Sequence, residues 1–457
     1  MISTLGDRIG GQVLRPDDDG YDAARSVWNA MVDRRPAAIV RCASTSDVAA
    51  AVRFARDQDL EIGVRCGGHS VLGMGVPDGG LMLDLTPMGT ATVDPARRRA
   101  RVQGGALLGA LDRASLAHGL ATTAGNVSHT GVGGLTLGGG MGWLARQFGL
   151  SCDNVVSYEL VTAAGEIIRV SADEHPDLFW GLRGGGGNFG AVTEFEFALH
   201  PIRHTALISE LYFGIDEAAA VLRGWRELNA DAPRQATYTA WVGNAAQPFI
   251  PAEYQGRPVA YVGLIWVGDP AEGEREVDRL RALARPIAER CEPVDYLDLQ
   301  RMDDSVEGHR YRRYWKGHFF RELTDDAIDA FLLRGTETGD GENLPNASLQ
   351  AYGGAIADVP DDAAAFSHRD KQFEFVTATR WTDPTEDESR FAAARRYSDT
   401  IAPHAAGMYV NAMSDEGAAG LRQAYPEHKL ARLVALKDAY DPDNVFHLNH
   451  NIAPSPR

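Results

Sequence analysis

The residue of this chain best suited to chemistry is His69, which follows two glycines in the segment Val64-Arg65-Cys66-Gly67-Gly68-His69-Ser70. Glycine lets a backbone approach a ligand closely, and successive main-chain N–H groups can bind a diphosphate. A ring nitrogen at such a turn can act as a nucleophile toward a bound cofactor. The same three residues also suit an ordinary turn, so other features of the chain must decide between the two interpretations.

Glycine is abundant and clustered, with 49 residues and dense groups at 67–75, 104–105, 131–142 and 184–190. Clusters outside any regular period indicate a large, flat, charged ligand lying on backbone, and a dinucleotide is the natural candidate. A Rossmann site for NAD would need glycines at the first strand-to-helix turn. That turn is Ala43-Ser44-Thr45 and has none, and no Gly-Lys-Ser/Thr of a P-loop occurs.

A predicted β-α-β unit directly precedes the loop that carries His69. The apolar run Ala37–Cys42 predicts a strand, and residues 44–47 supply helix-capping side chains. Apolar residues then recur at helical spacing from Val48 to Ala55, and a second strand ends at Val64.

The composition of the sequence changes after Pro201, where glycine becomes sparse. We predict helices near 216–229 and 270–289, strands at 207–213, 236–243, 258–267 and 347–355, and a helix at 430–440 that ends before Pro442. The domains expected are 1–202, 203–410 and a return segment at 411–457.

Composition excludes several classes of function. The chain has 457 residues with 45 Lys and Arg against 63 Asp and Glu, a net charge of −18 that disfavours nucleic-acid binding. The four cysteines show no metal or disulfide pattern, and the spacing of the twelve histidines other than His69 predicts no metal site. Without a signal-type segment or a long apolar run, we expect a cytoplasmic protein that binds no membrane, with a homodimer as the candidate assembly.

Five motifs, in order, resemble those of the berberine bridge enzyme-like branch of the vanillyl-alcohol oxidase superfamily. They are Arg65-x-Gly67-Gly68-His69-Ser70, Gly131-x-Gly133-Gly134-Leu135-x-Leu137-Gly138-Gly139-Gly140-x-Gly142, Gly149-Leu150-x-x-Asp153-Asn154, Asp177-Leu178-Phe179-Trp180-x-x-Arg183-Gly184 and Asn449-x-Asn451-Ile452. The resemblance covers essentially the whole chain and extends to oxidases of secondary metabolism. It implies an α+β fold, in which a two-subdomain FAD-binding domain of the p-cresol methylhydroxylase (PCMH) type carries an inserted α+β substrate domain, an antiparallel sheet covered by helices.

The resemblance also implies covalent FAD. The histidine of this motif bonds to the flavin 8α-methyl group in the family, and it corresponds to His69. Many relatives add a second bond through a cysteine, but Val127 stands at that position here and Ser128 beside it is a poor nucleophile, so we expect one bond only. Thr130 falls where relatives admit or block oxygen, and its small side chain is compatible with an oxidase.

The remaining flavin contacts that the resemblance implies come from the same motifs and their neighbours. They are Arg65, Cys66, Gly67, Gly68, Ser70, Gly125, Thr130, Gly131, Gly133, Gly134, Leu137, Gly138, Gly140, Gly142, Asn188, Val192, Tyr409, Asn449 and Asn451.

Two residues are candidates for catalysis. Glu374, between Phe373 and Phe375, matches a glutamate that acts as a base or supports one in several relatives; strand alternation places it opposite those aromatics, toward solvent or flavin. Tyr409 matches a Tyr-x-Asn motif near the flavin, whereas Ala412 stands where some relatives carry a catalytic tyrosine.

Tyr314 and Lys316 are expected to face the same pocket. The favoured function is an FAD-dependent oxidase that transfers hydride from a phenol, alcohol or amine to flavin N5 and returns electrons to O₂ as H₂O₂. A dehydrogenase with another electron acceptor and a flavin-binding protein with degenerate chemistry remain as alternatives.

Overall fold

The first layer of the fold is a small sheet that carries the His69 loop. In the computed structural model, which describes residues 5–334 and 344–456, this sheet has the order β1-β2-β4-β3. Its strands are β1 (Gln12–Leu14), β2 (Ala38–Arg41), β3 (Ile62–Arg65) and β4 (Leu81–Asp84). Strands β2, β3 and β4 are parallel, and helix α2 (Thr45–Asp57) connects β2 to β3 as the sequence predicts.

The second layer is an antiparallel sheet in the order β5-β6-β10-β8-β9. Its strands are β5 (Ala91–Asp94), β6 (Arg99–Gln103), β8 (Val155–Val161), β9 (Ile167–Ser171) and β10 (Ala191–Ala198). A two-stranded ribbon joins β7 (Leu120–Ala121) to β11 (His200–Pro201).

The third layer is a seven-stranded antiparallel sheet in the order β15-β12-β14-β13-β17-β18-β16. Its strands are β12 (Thr205–Gly214), β13 (Ala236–Asn244), β14 (Pro258–Trp266), β15 (Ala288–Asp295), β16 (Arg312–Phe320), β17 (Asn346–Ala351) and β18 (Phe373–Trp381). Helices α7 (Ile215–Ala230), α10 (Asp325–Leu333) and α12 (Asp387–Ile401) bury one face of this sheet.

The helices occupy both halves of the chain. They are α1 (Tyr21–Arg25), α2 as given, α3 (Leu108–Leu116), α4 (Val132–Leu137), α5 (Ala145–Phe148), α6 (Pro176–Leu182), α7 (Ile215–Ala230), α8 (Pro270–Arg281), α9 (Tyr296–Leu299), α10 (Asp325–Leu333), α11 (Ala355–Asp358), α12 (Asp387–Ile401), α13 (Gly417–Ala424) and α14 (Glu427–Tyr440). Among residues 5–334 and 344–456, no helix combines the length and the apolar character needed to span a bilayer.

The structure confirms the α+β class, the helix-covered antiparallel sheet and the predicted strands at 207–213, 236–243 and 258–267. The strand predicted at 347–355 forms but ends at Ala351, and a helix begins at Ala355. The predicted helix 270–289 is wrong in its last eight residues, because α8 ends at Arg281 and a strand begins at Ala288. Pro286 accounts for the difference: proline disfavours helical geometry at the preceding residue and donates no hydrogen bond.

The C-terminal segment returns to the first half of the chain and packs into its core. Leu433, Leu436 and Ile452 are buried in the same cluster as residues of β8 and β10. Lys437, fully buried on α14, donates to the Asp441 carboxylate at 2.6 Å and to the backbone oxygens of Asn188 and Phe446 at 2.8 and 3.0 Å. The hydrogen bond from Lys437 to Asn188 ties the return segment to the loop before β10.

Lys437→Ala is expected to lower the free energy of unfolding by about 3–5 kcal/mol, because it leaves the buried Asp441 carboxylate without its cation. Arg275→Ala removes a solvent-exposed i,i+3 pair with Glu272 on α8 and should cost at most ~1 kcal/mol. Denaturant unfolding of both variants checks the difference, and equal effects would contradict the structural role of the buried pair.

Candidate active site

His69 lies in the loop that leaves β3, where glycine is required for two separate reasons. Gly68 has a φ of +70°, a left-handed conformation that other residues rarely adopt. A Cβ at Gly67 would lie 2.3 Å from the Gly131 nitrogen, so the two glycine loops pack backbone to backbone. The imidazole of His69 stacks on Trp28, with ring centroids 4.9 Å apart and planes inclined by 16°.

A chain of hydrogen bonds runs through the ring of His69. Its Nε2 lies 2.7 Å from Nδ1 of His129, and its Nδ1 lies 3.3 Å from the Thr130 hydroxyl. The far nitrogen of His129, Nε2, lies 3.3 Å from the backbone oxygen of Asp304. Ser128 holds Asp304 in place, because its backbone N–H and hydroxyl both donate to that carboxylate.

A third histidine, His309, joins this group, and ligand nitrogens of His69, His129 and His309 all lie within 4.8 Å of one another. The spacing of the histidines in the sequence does not reveal this cluster, since its members are distant in sequence and meet only in the folded chain. The absence of a metal stays a prediction. Burial first, and then the neighbouring cationic groups, hold the pKa of His69 well below its usual value, so its imidazole is neutral.

The predicted glycine segments form one continuous surface, here called the glycine cradle: residues 66–70, 131–142, 184–190 and 449–451. The first two segments meet at Gly67 and Gly131. The Leu137 carbonyl accepts hydrogen bonds from the N–H groups of Gly184 and Gly186, which joins the second segment to the third. Asn449 donates to the Gly187 carbonyl at 3.2 Å and closes the contact to the C-terminal segment.

The cradle suits a polar ligand such as FAD. A Cβ at Gly134 or Gly187 would meet nothing within 4 Å, so these backbones border open space. Side-chain oxygens of Asn449 and Asn451 are buried there, and no group of the described residues hydrogen-bonds to them. Buried polar atoms are normally paired, so these oxygens call for a partner outside the protein chain. The residues present therefore fit the cofactor.

Other residues of the predicted cofactor set also have structural contacts. The Arg65 guanidinium donates to the buried Asp84 carboxylate at 3.2 Å and to the Ser26 carbonyl at 3.3 Å. Cys66 donates to the Ala106 carbonyl at 3.4 Å, and burial raises its pKa to about 11, so it is a thiol and not a nucleophilic thiolate. Ser70 accepts from the Met74 N–H within its own turn.

Close packing explains several more glycines of the set. Added Cβ atoms would collide with backbone at Gly142, with Leu135 at Gly125, with Ser151 at Gly140 and with Asn411 at Gly138, whereas Gly133 is less tightly confined. Asn188 accepts from the Ile452 N–H, and Val192 and Leu137 are buried apolar residues. The glycine clusters thus serve chain packing as well as the open cradle surface.

Glu374 lies on the face of the third sheet that is turned away from the covering helices. It pairs across strands with Phe319 and Gln350, whereas Phe373 and Phe375 belong to the core beneath the helices. Its side chain is 7% exposed, and no group of the described chain hydrogen-bonds to it. Burial raises its pKa to about 7, a value suited to a general base near neutral pH.

Tyr409 connects this carboxyl group to the glycine cradle. Its hydroxyl accepts hydrogen bonds from the Gly140 N–H at 2.8 Å and from Asn411 at 2.9 Å. Burial and the nearby charge of Glu374 raise its pKa above the ordinary tyrosine value. These contacts favour a positioning role for Tyr409 over proton transfer.

The expectation that Tyr314 and Lys316 face the same pocket is wrong. Both alternate with Trp315 on β16 and so point to the other face, where Tyr314 donates to Asp415 at 3.1 Å and Lys316 pairs with Glu416 at 3.3 Å.

Sequence reasoning missed Trp28, His129, Asp304 and His309. Each contacts the His69 group from a distant part of the chain, and the only signal in the sequence was the position of His129 directly before Thr130.

Two family models match the chain. Residues 36–171 match the model described as FAD binding domain, and residues 408–453 match the one described as berberine and berberine like. The first match covers the glycine groups at 67–75, 104–105 and 131–142, and the second covers most of the C-terminal return segment.

The chain is similar over its full length to characterised flavoproteins. It is 30% identical to (R)-6-hydroxynicotine oxidase of Paenarthrobacter nicotinovorans, with 98% of this chain and 97% of the relative covered. The crystal structure of 6-hydroxy-D-nicotine oxidase from Arthrobacter nicotinovorans superposes with a TM-score of 0.86 at 29% identity, covering 98% of each chain. Glucooligosaccharide oxidase of Acremonium strictum, described as carrying 6-S-cysteinyl, 8α-N1-histidyl FAD, gives a TM-score of 0.86 at 25% identity, covering 100% and 99%.

Proposed function

The chain belongs to the berberine bridge enzyme-like FAD-linked oxidoreductases, and we propose that it is an oxidase that removes hydride from a small or medium-sized phenol, alcohol or amine and passes the electrons to O₂. The observation that carries this proposal is Glu374, a buried carboxyl group without a partner in the described chain, placed across Tyr409 from the glycine cradle. Cytoplasmic location and a homodimer remain predictions.

Bound FAD would supply the hydride acceptor, and the protein would bind, orient and tune it. The open backbone at Gly134 and Gly187 and the unpaired oxygens of Asn449 and Asn451 would hold its polar parts. Asn411 donates to the Leu135 carbonyl and to the Tyr409 hydroxyl. It therefore links the glycine cradle to Tyr409.

Strand β16 links the surroundings of His69 to those of Glu374. Trp28 stacks on His69 and contacts Trp315 on β16, with the ring centroids of the two tryptophans 5.7 Å apart. Phe319, further along β16, pairs with Glu374 of the neighbouring strand β18. Four residues along a strand span about 13 Å. His69 would hold bound FAD, and Glu374 and Tyr409 would serve the reacting substrate.

Glu374 would act as the general base. When its carboxylate is ionised it would remove the proton of a substrate O–H or N–H group, while hydride leaves the adjacent carbon. The same burial that raises its pKa keeps bulk water away from the reacting atoms.

We propose that FAD is attached through His69 alone. The neutral His69 ring supplies the nucleophile, Cys66 is a buried thiol, and Val127 carries no nucleophilic atom where relatives have a second cysteine.

The oxidase proposal is tested by anaerobic bleaching of the flavin with a panel of phenols, alcohols, sugars and amines, followed by peroxide measurement in air. A substrate that bleaches the flavin and yields one peroxide per turnover supports it. Bleaching without peroxide would identify a dehydrogenase, and absence of bleaching across the panel would favour a binding protein.

Thr130→Leu is expected to slow reoxidation of the reduced flavin by O₂ by about tenfold or more, equivalent to ~1.4 kcal/mol in the barrier. The larger side chain would fill space beside the His69 ring, which the Thr130 hydroxyl now contacts. Stopped-flow mixing of bleached enzyme with oxygenated buffer measures the rate. Thr130→Ser is the matched control and should retain the wild-type rate; equal rates in Leu and Ser variants would show that oxygen does not pass this residue.

A further inference from the structure

The face of the third sheet opposite the covering helices carries a row of residues that ends at Glu374. Cross-strand pairing defines this polar row as Glu210, Gly263, Thr239, Gln350 and Glu374, from β12 to β18. Neighbouring strands lie about 4.8 Å apart, so four strand spacings separate the backbones of Glu210 and Glu374 by about 19 Å. Gly263 adds no side chain, and a Cβ there would lie 2.0 Å from a β12 carbonyl oxygen. The row therefore has a carboxyl group at each end and a gap beside Glu210.

Aromatic rings flank the Glu210 end of the polar row. Tyr261 pairs across strands with Tyr212 and Trp241, so the three side chains share the face of the row. The ring centroids of Tyr212 and Tyr261 are 5.3 Å apart, and Trp241 stacks on Tyr261 at 5.9 Å with planes inclined by 19°. The Tyr212 hydroxyl donates to the Glu210 carboxylate at 3.2 Å. A carboxylate beside aromatic rings is a typical environment for an organic cation.

A second carboxyl group, that of Asp303, approaches this end from the loop after α9. Burial, and then the negative charges of Glu307 and Glu210, raise the pKa of Asp303 to about 6. Arg380 opposes this effect only in part, because it pairs with Glu307 at 2.9 Å. Burial, followed by the charges of Glu210 and Asp303, also raises the pKa of Tyr261. Both carboxyl groups therefore lie close to the Tyr261 hydroxyl.

These two carboxyl groups lack a cation of their own. Neither Glu210 nor Asp303 forms an ion pair within the described chain, and both are half-buried. Arg290 pairs across strands with Glu210, but its guanidinium lies 2.7 Å from Glu292. Neither carboxyl group belongs to a cluster of three metal-ligating side chains among the described residues. A partly buried negative charge is unfavourable without a partner, and here the aromatic rings favour an organic cation.

Unpaired polar atoms in the polar row show that it borders a ligand. Glu374 is 7% exposed and makes no hydrogen bond within the described chain. The side-chain nitrogen of Gln350 is buried and has no partner among the described residues, whereas its oxygen accepts from Asn126 at 3.4 Å. Buried polar atoms are normally paired. A molecule that contacts Glu374 and Gln350 would extend along the row toward Glu210.

We propose that the substrate carries a basic nitrogen remote from the carbon that is oxidised, and that Asp303 and Glu210 bind this nitrogen as a cation. The rings of Tyr261 and Trp241 would lie against the cation. The inference rests on the proposed function and narrows its substrate class to compounds with such a charged nitrogen, whose reacting end lies beside Glu374. Asp303 and Glu210 do not touch the reacting atoms, so they determine specificity and are not catalytic.

The test uses pairs of compounds that differ only in a remote amino group. The pairs are para-(aminobutyl)phenol with para-pentylphenol, para-(aminobutyl)benzyl alcohol with para-pentylbenzyl alcohol, and N-(aminobutyl)benzylamine with N-pentylbenzylamine. An alkyl amine is protonated at neutral pH. The holoenzyme is mixed with each compound without oxygen, and the rate of flavin bleaching against concentration gives Kd and the limiting rate. We expect the amino member to bind wild type about 10–100-fold more tightly than its alkyl partner.

Variants assign that preference to the two carboxyl groups. Asp303→Asn and Glu210→Gln should each raise Kd for the amino member about 10–100-fold, with the limiting rate unchanged. Kd for the alkyl member should also stay unchanged, which shows that the variant is folded and holds its flavin. Asp303→Glu keeps the charge and should retain the preference. Glu272→Gln is the matched control, because Glu272 is exposed on α8, which packs on the opposite face of the sheet.

Two outcomes would overturn the proposal while leaving the oxidase function intact. In one, alkyl members bleach the flavin with a Kd equal to or below that of their amino partners. In the other, the preference for the amino member survives in both Asp303→Asn and Glu210→Gln. If no member of any pair bleaches the flavin, the cation site and the proposed function are both refuted.

Discussion

Replacement of Glu374 by Gln is expected to lower kcat/KM by about 10²–10⁴-fold while FAD stays bound, because the amide fills the same space but cannot accept the substrate proton. The carboxyl group is 7% exposed and makes no hydrogen bond within the described chain, so the substitution breaks no structural contact. Glu276→Gln is the matched control. Glu276 lies on α8, which packs against the sheet, and it bonds to Tyr238 and Arg279, away from Glu374. Equal activity in both variants would refute Glu374 as the base.

The role of Glu374 as a base also predicts how kcat/KM of the wild-type enzyme changes with pH. A base must be ionised, so wild-type kcat/KM should rise with pH and level off above the Glu374 pKa of about 7. The small residual activity of Glu374→Gln should lack this rise. A wild-type profile that falls through pH 7 would contradict the assignment.

The free energy of unfolding of the wild-type protein should fall with pH over the range in which kcat/KM rises. The folded-state pKa of Glu374 is about 7 against an ordinary value of 4.5, so the folded protein holds its proton more tightly and loses stability as pH rises through this range. Glu374→Gln removes that loss and should be the more stable protein at pH 8, by at most about 3 kcal/mol. Thermal unfolding at pH 5 and pH 8 measures the difference between the two proteins.

His69→Ala is expected to convert the flavin from fully attached to fully releasable on denaturation, the largest qualitative change that one substitution can produce here. Contacts of the glycine cradle should still bind FAD in the native variant, because the open backbone at Gly134 and Gly187 and the oxygens of Asn449 and Asn451 are unchanged. Ultrafiltration before and after acid denaturation separates bound from released flavin.

Cys66→Ala is the matched control for His69→Ala. Cys66 lies in the same loop and is the cysteine nearest His69, but its buried thiol is not activated. Its removal should leave attachment complete. Flavin retained by His69→Ala and lost from Cys66→Ala would show that the wrong residue has been assigned.

Local sequence signals were sufficient to predict the His69 loop. The capped helix and the two apolar runs predict the β-α-β unit, and the glycines before His69 indicate close backbone approach, which the structure shows at Gly67 and Gly68. The position of Glu374 opposite Phe373 and Phe375 followed from strand alternation in the same way.

The surroundings of His69 could not be predicted, because they depend on contacts between distant segments. His129 is 60 residues from His69, and Asp304 is 175 residues from His129. Neither spacing has a period that helix or strand geometry would reveal. The error at Tyr314 and Lys316 had a different origin: the face of β16 is decided by its pairing with β18, which only the folded sheet defines.

The most direct test of the account is acid denaturation of the purified wild-type protein, followed by separation of polypeptide from free flavin. We expect the yellow colour and flavin fluorescence to stay with the polypeptide, and peptide mapping to find one flavin on the peptide containing His69 and none on a cysteine. Complete release of FAD, or a flavin attached elsewhere, would contradict it.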